Sequence, residues 1–158
     1  KADLQQVSSR FENDWAELES TLDALAECAA REGKIELAQS HGDFQAGNIM
    51  VGRRSGQVTL IDWEHSAERS YTYDRMVFGL QTRASKGLAA RVKIALAQDL
   101  PGVSVNGHNM AAFLLEDLAW FLHESLTGPF TIASEGLSQL RTELLSLGNL
   151  KAVLGGGA

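Results

Sequence analysis

Three polar residues stand at fixed distances around two short apolar runs in the segment HGDFQAGNIMVGRRSGQVTLIDW. Asp43 precedes Asn48 by five positions, and Asp62 directly follows the second apolar run. A hydrophobic core does not require two carboxylates and an amide here, whereas carboxylate and amide oxygens are the ligands that Mg²⁺ takes in proteins. Taken singly, each residue could instead cap a loop or end a strand, because Asp and Asn favour turns. Taken jointly, the three predict a site.

The residues between Asn48 and Asp62 predict a β-hairpin. The runs IMV and VTLI are apolar or β-branched and flank a turn rich in Gly and Arg. A turn centred on Ser55, with a three-residue loop that ends in a left-handed Gly56, suits this sequence. That register sets Asn48 opposite Asp62, with Cβ atoms roughly 4.5 to 5.5 Å apart. The two residues could then share one Mg²⁺, and Asp43 could approach the ion without being a ligand.

Helices are predicted on both sides of the hairpin. Apolar residues recur every three or four positions over residues 4–29, which indicates a long amphipathic helix that ends near Gly33. A coiled-coil seam is the alternative, but bulky Phe11 and Trp15 favour a core helix. The later helical patterns cover residues 73–84, 87–98, 108–126 and 133–147. The expected fold class is mainly α with a small β-hairpin (α+β), as one domain over residues 1–150 with a flexible Gly-rich tail at 151–158.

Composition limits the classes of partner. The chain has 158 residues and a net charge of -6, which argues against binding to nucleic acid or to an anionic membrane surface. The lone cysteine, Cys28, excludes an intramolecular disulfide and fits a reducing compartment. No signal-peptide pattern and no apolar run of membrane-spanning length is present, so the cytoplasm is the expected location.

At these motifs the sequence resembles the aminoglycoside phosphotransferase and choline kinase family, whose members are relatives of protein kinases that phosphorylate small molecules. The matching elements are HGDFQAGN, then IDWE, then Tyr73 and Asp74. Protein kinases carry H-R-D with an Asn five residues after the Asp, followed by D-F-G. Here Gly42 replaces the Arg and Trp63-Glu64 replaces Phe-Gly, which favours the small-molecule branch.

The resemblance implies a role for each motif residue. Asp43 would be the catalytic residue that orients the acceptor hydroxyl and accepts its proton, while Asn48 and Asp62 would hold Mg²⁺ on the β- and γ-phosphates of ATP. His41 would brace the catalytic loop. Asp74 would tie the segment after IDWE to that loop, although a helix N-terminal cap would account for Asp74 equally well.

The resemblance covers nearly all of the chain but only the C-terminal lobe of a kinase-like fold. The sequence contains no Gly-rich phosphate loop before a strand and no strand lysine in the right order, so an N-terminal nucleotide-binding lobe is an expected partner and the chain is expected to be inactive alone. A chain that begins with Lys1 and ends in GGGA is expected to be a piece of a longer protein. The segment HSAERSYT departs from the small Gly- or Pro-containing stretch usual in the family, and its charged side chains at His65, Glu68 and Arg69 are expected to be solvated.

The expected activity is ATP-dependent transfer of the γ-phosphate to a hydroxyl of a small molecule such as an aminoglycoside, a sugar or an amino alcohol. Two alternatives belong to other classes. The first is a catalytically silent kinase-like binding module, against which the complete set of Asp43, Asn48 and Asp62 argues. The second is a helical oligomerisation protein built on the apolar stripe of residues 4–29. The sequence leaves the acceptor and the oligomeric state open.

Overall fold

The computed structural model describes residues 15–31, 34–83 and 87–127. The described residues form four helices and two small antiparallel sheets of two strands each, so the fold is mixed α/β. In chain order the elements are α1 (Trp15–Ala30), β1 (Leu37–Ser40), β2 (Ile49–Val51), β3 (Val58–Leu60), β4 (Ala67–Ser70), α2 (Tyr73–Leu80), α3 (Leu88–Gln98) and α4 (Gly107–Thr127). Short 3₁₀ turns precede β2 and follow β3, at Ala46–Asn48 and Trp63–His65. The first part of the predicted stripe, the helix predicted at 133–147 and the tail at 151–158 lie outside the described residues.

The chain divides into two compact units. Of the described residues, the first contains those up to Lys34 and those from Asn106 onward, and within it α1 packs against α4. Leu22, Leu25 and Cys28 of α1 are buried, as expected for the apolar face of a core helix. Five consecutive residues of α4, Met110 to Leu114, are buried as well, which explains why this helix is apolar on most of its faces. No helix in the described segments is both long and apolar enough to cross a membrane.

The second unit, Ile35–Val105, holds both sheets together with α2 and α3. The sequence did not predict the sheet in which β4 pairs with β1, from Leu37 opposite Ser70 to Ser40 opposite Ala67. Its polar residues follow no clear alternation, so the segment HSAERSYT carries little strand signal.

The expectation that the charged residues of this segment are solvated is confirmed for Glu68 and wrong for Arg69 and His65, which are partly buried. The Arg69 guanidinium donates to Ser40 Oγ at 2.7 Å and to the His65 carbonyl at 3.1 Å, and it lies 4.8 Å from the centre of the Tyr73 ring. Arg69 therefore connects the sheet of β1 and β4 to the start of α2.

The predicted hairpin is present, but its predicted register is wrong by one residue. Val51 pairs with Val58, and the Ile61 amide donates to the Asn48 carbonyl at 3.1 Å, so Asn48 lies opposite Ile61 instead of Asp62. The cause is a loop of four residues, 53–56, where three were expected. The loop closes through a bond from the Gly52 amide to the Gln57 carbonyl at 2.8 Å.

One detail of the predicted turn is confirmed. Gly56 adopts a left-handed conformation with φ of 66°, which glycine accepts without steric cost. Its amide donates to the Gly52 carbonyl at 2.8 Å and so completes the turn.

A pair of buried hydroxyls provides a test of this unit. Thr72 is 2% exposed and its Oγ1 has no hydrogen-bond partner among the described residues, whereas Ser40 Oγ donates to the Ala67 carbonyl at 2.9 Å and accepts from Arg69. We predict that Thr72→Val leaves the free energy of unfolding unchanged or higher, because it removes a buried polar group that has no compensating bond. Ser40→Ala, the matched control, should lower it by roughly 1 to 3 kcal/mol, because the Ala67 carbonyl and the Arg69 guanidinium each lose a hydrogen bond.

Urea denaturation of the two variants measures both effects. If both variants lowered the free energy of unfolding equally, the Thr72 hydroxyl would have a hydrogen-bond partner in solution.

Candidate active site

The loop that carries Asp43 is anchored to the start of α2 by Asp74. One carboxylate oxygen of Asp74 accepts from the His41 amide at 2.7 Å, and the other accepts from the Gly42 amide at 3.0 Å. Charge-assisted bonds of this kind are shorter and stronger than bonds between neutral groups. Thr72 occupies the N-cap position of α2, so the Asp74 carboxylate binds the loop and does not serve as the N-terminal cap.

Gly42 is the residue at which this loop turns. It is buried and has φ of 87°, in the left-handed region that favours glycine. A Cβ at this position would overlap the His65 carbonyl oxygen and lie 2.8 Å from an Arg69 guanidinium nitrogen. A larger residue therefore cannot replace Gly42 in the HGD motif without displacing the segment after β3.

His41 joins the loop to the residue before Asp62. Its ring is 1% exposed and packs against Trp63 with 4.7 Å between ring centres. Nε2 lies 2.7 Å from the Ile61 carbonyl oxygen, and because a carbonyl can only accept, Nε2 carries the proton. Nδ1 is then the acceptor for the Asp43 amide at 3.4 Å. A neutral imidazole satisfies both contacts.

The Asp43 carboxylate accepts hydrogen bonds from three side chains. Oδ2 accepts from Gln45 Nε2 at 2.7 Å and from Asn48 Nδ2 at 3.0 Å, and Oδ1 accepts from Arg83 Nε at 2.9 Å. Asn48 Nδ2 also donates to the Asp43 main-chain carbonyl at 2.9 Å. The 3₁₀ turn at Ala46–Asn48 brings Asn48 back to Asp43, which is the structural reason for the spacing of five residues.

Sequence reasoning missed Arg83. It follows α2, forty positions after Asp43, and no local spacing marks it. Its side chain is 17% exposed, forms a 2.9 Å ion pair with the Asp43 side chain, and donates from Nη2 to the Gly42 carbonyl at 2.9 Å. Arg83 thus holds both the carboxylate and the backbone of the loop.

These contacts set the ionisation of Asp43. Burial alone would raise the pKa of its carboxyl, but the hydrogen bonds from Gln45, Arg83 and Asn48 and the charge of Arg83 outweigh burial and hold the pKa below the ordinary value of 3.8. Asp43 is therefore ionised at neutral pH. Because the pKa is lowered in the fold, this contribution to stability is present above pH 3.8 and is lost as the pH falls through the lowered value.

Asp62 differs from Asp43 and Asn48 in its exposure and its contacts. It is exposed, adopts a left-handed conformation with φ of 68° and ψ of 58°, and its carboxylate has no hydrogen-bond or ion-pair partner in the described parts of the chain. Asp and Asn tolerate this conformation better than most residues. The predicted face-to-face pairing of Asp62 with Asn48 is wrong because of the shifted register, but Asp62 still directly follows Ile61, which pairs with Asn48.

Two oxygen-bearing side chains of this region, those of Asn48 and Asp62, have oxygen atoms without a described hydrogen bond. Asn48 turns both of its side-chain N–H bonds to Asp43, so Oδ1 is left without a hydrogen bond to the described residues, as is the Asp62 carboxylate. Across the described residues, no three His, Cys, Asp or Glu side chains cluster as a metal site. Mg²⁺ keeps several waters and binds through one or two protein oxygens plus phosphates, so a pair of ligands is sufficient for it.

The ionisation of Asp43 leads to a prediction. In an NMR titration of the aspartate carboxyl carbons, the Asp43 midpoint should lie below 3.8. Arg83→Gln should raise it, because the charge and one hydrogen bond that favour the carboxylate are removed while the burial remains. The control is Arg75→Gln, since the Arg75 guanidinium is exposed and binds the Gly102 carbonyl. A midpoint that does not move in Arg83→Gln would show that Arg83 is not a partner of Asp43 in solution.

The chain was compared with three kinds of known protein. No protein-family model matches it, and neither does a curated protein or a solved structure. The structure itself shows a mixed α/β fold with a polar cluster around Asp43. The resemblance to small-molecule kinases stays a prediction from the sequence motifs.

Proposed function

We propose that this chain is the catalytic lobe of an ATP-dependent phosphotransferase that acts on a hydroxyl group of a small molecule. The observation that carries the proposal is the side chain of Asn48. Its Nδ2 binds the Asp43 carbonyl at 2.9 Å and the Asp43 carboxylate at 3.0 Å, while its Oδ1 has no described partner. One amide therefore holds the candidate base through its nitrogen and leaves its oxygen for a metal ion, which suits a reaction that depends on positioning and charge stabilisation.

Asp43 would act on the acceptor. The O–H bond of the acceptor breaks and its proton passes to the Asp43 carboxylate, the hydroxyl oxygen bonds to the γ-phosphorus, and the bond from that phosphorus to the bridging oxygen of ADP breaks. Enzymatic phosphoryl transfer has a loose transition state in most analyses, so positioning of the nucleophile contributes more than base strength. A carboxylate held by three side chains with a lowered pKa suits this role.

Asn48 and Asp62 would hold Mg²⁺. When bound, the ion neutralises charge on the β- and γ-phosphates. The Asp62 carboxylate is exposed and forms no described contact, so it can become a ligand without breaking an interaction of the fold. His41 fixes Ile61, the residue before Asp62, through a hydrogen bond to the Ile61 carbonyl.

The hairpin supports the expected second lobe. Met50, Val51 and Val58 are 56%, 61% and 60% exposed. Val51 and Val58 are paired across the strands, and Met50 is on the opposite face of β2, so both faces of the hairpin expose apolar side chains. Exposed apolar surface beside a candidate site is typical of a surface that another element or a ligand covers. A nucleotide base and an N-terminal lobe would cover it here.

Replacement of the base tests the proposal. In the intact protein, Asp43→Asn should reduce turnover roughly a hundredfold or more while ATP affinity changes little, because a positioned base acts in the transition state. The measurement is acceptor-dependent consumption of ATP, with nucleotide binding followed by calorimetry. Glu68→Gln is the matched control, since Glu68 is exposed on β4 and has no place in the site. Turnover within a few-fold of the wild type would exclude Asp43 as the base.

Removal of a candidate metal ligand tests the proposed Mg²⁺ site. Asp62→Ala should weaken the Mg²⁺ dependence of nucleotide affinity, because it removes a charged ligand from an ion that bridges the phosphates. Asn48→Ala should have the same effect to a smaller extent, because an amide oxygen is uncharged. Calorimetric titrations of ATP at several Mg²⁺ concentrations measure the dependence.

Glu64→Ala provides the control for Asp62→Ala. Glu64 lies two residues further along, its side chain is 71% exposed, and its only described contact is a 3.5 Å approach to His65. If Asp62→Ala kept the Mg²⁺ dependence of wild type and of Glu64→Ala, Asp62 would not be a metal ligand.

A further inference from the structure

A cavity of about 360 Å³ adjoins the Asp43 cluster within the unit Ile35–Val105. The described residues that line it are Gln45, Ala46, Val77, Phe78, Gln81 and Arg83. Two of these, Gln45 and Arg83, also donate to the Asp43 carboxylate, at 2.7 and 2.9 Å. The volume falls within the range of small-molecule sites. The cavity is therefore placed to bring a ligand next to the candidate base.

The charge of the cavity argues against a cationic ligand. Arg83 is the charged side chain among the six described lining residues, whereas its ion-pair partner Asp43, 2.9 Å away, is not one of them. None of those six residues is acidic. A ligand with several ammonium groups would meet no uncompensated carboxylate there and would be repelled by the Arg83 guanidinium.

The uncharged part of the lining suits a hydroxylated ring. Phe78 is 46% exposed although its ring rests against Phe44, with 5.6 Å between ring centres. An exposed aromatic ring held in place by a second one provides a rigid apolar surface for the C–H face of a ligand. Gln45 and Gln81 carry amides, which can both donate to and accept from hydroxyl groups.

The Asp43 carboxylate has one position left for a ligand. A carboxylate offers about four acceptor positions, two on each oxygen. Within the described residues, Oδ2 accepts two hydrogen bonds and Oδ1 accepts one, from Arg83. The remaining position is on Oδ1, the oxygen bound by a residue that lines the cavity. Asp43 itself is not among the described lining residues, so a ligand hydroxyl would donate to this position by extending from the cavity to Asp43.

From these four observations we infer that the cavity is the acceptor site and that it takes a neutral, polyhydroxylated ring compound of the sugar class, with Arg83 as the residue that excludes polycations. The inference rests on the proposed function for the meaning of "acceptor". It narrows the expected acceptors, since aminoglycosides and amino alcohols carry the positive charge that the cavity disfavours.

Direct binding of two matched ligands tests the inference without nucleotide or turnover. Phenyl β-glucoside and phenyl β-glucosaminide share the ring and the aromatic group, and the glucosaminide carries an ammonium group in place of the 2-hydroxyl. Calorimetry on the intact protein should show that the neutral glucoside binds at least about tenfold more tightly. Arg83→Gln should reduce this preference about tenfold, chiefly by improving glucosaminide binding, because Asp43 is then uncompensated.

Three further variants make the result specific. Arg83→Lys should keep the preference for the neutral ligand because it keeps the charge, and Arg75→Gln should keep it because Arg75 does not line the cavity. Phe78→Ala should weaken both ligands by a similar factor, because it removes the apolar surface that they share. Circular dichroism checks the fold of each variant. If Arg83→Gln did not fold, two measurements would still test the inference. These are the preference of the wild type for the glucoside and the weaker binding of both ligands to Phe78→Ala.

Three results would overturn the inference. These are equal or tighter binding of the glucosaminide to the wild type, an equal change for both ligands in Arg83→Gln, and no binding of either ligand at millimolar concentration. The proposed function fails through a different measurement, which is unchanged turnover in Asp43→Asn. A phosphotransferase that prefers the cationic ligand would leave the function intact and remove only this inference.

Discussion

The two hydrogen bonds that Asp74 accepts from the loop main chain are the constraint on which the candidate site depends. They fix the amides of His41 and Gly42 at the first turn of α2. Arg83 follows the other end of the same helix and binds the Gly42 carbonyl and the Asp43 carboxylate. A helix of eight residues is about 12 Å long, so α2 acts as a short rigid spacer between the two contacts. Contacts at both ends of α2 therefore fix the orientation of Asp43.

Ile61 has the corresponding role for the part of the site where Mg²⁺ binding is proposed. Its carbonyl accepts from His41 at 2.7 Å, and its amide donates to the Asn48 carbonyl at 3.1 Å. Both polar groups of this residue are thus used to connect the loop, the 3₁₀ turn and the hairpin. Asp62 comes next in the chain and takes a left-handed conformation, so its backbone is positioned although its side chain is exposed. A ligand that must exchange between water and a cation can be held in this way without a contact of its own.

The sequence predicted the elements that have a strong periodic signal and missed those that have none. The helices at 73–84, 87–98 and 108–126 were predicted from apolar spacing, and α2, α3 and α4 begin within one residue of those positions. The predicted register of the hairpin was wrong. Burial of one face normally specifies the register, and this hairpin has no buried face. Met50 and Val51 lie on opposite faces and are both more than half exposed, so no pattern distinguished the two registers. Arg83 could not be found either, because its role depends on a contact across forty residues.

Arg83 also explains how a weak base could serve the proposed reaction. The guanidinium lowers the pKa of Asp43 and so makes the carboxylate a poorer proton acceptor, which would be a disadvantage if the reaction required an alkoxide. A loose transition state requires little negative charge on the attacking oxygen, so the hydroxyl needs orientation more than activation. Two donors on Oδ2 and one on Oδ1 leave a single acceptor position, which gives a bound hydroxyl one direction in which to donate. Because the same guanidinium contributes the charge of the adjoining cavity, the residue that orients the base would also select the acceptor.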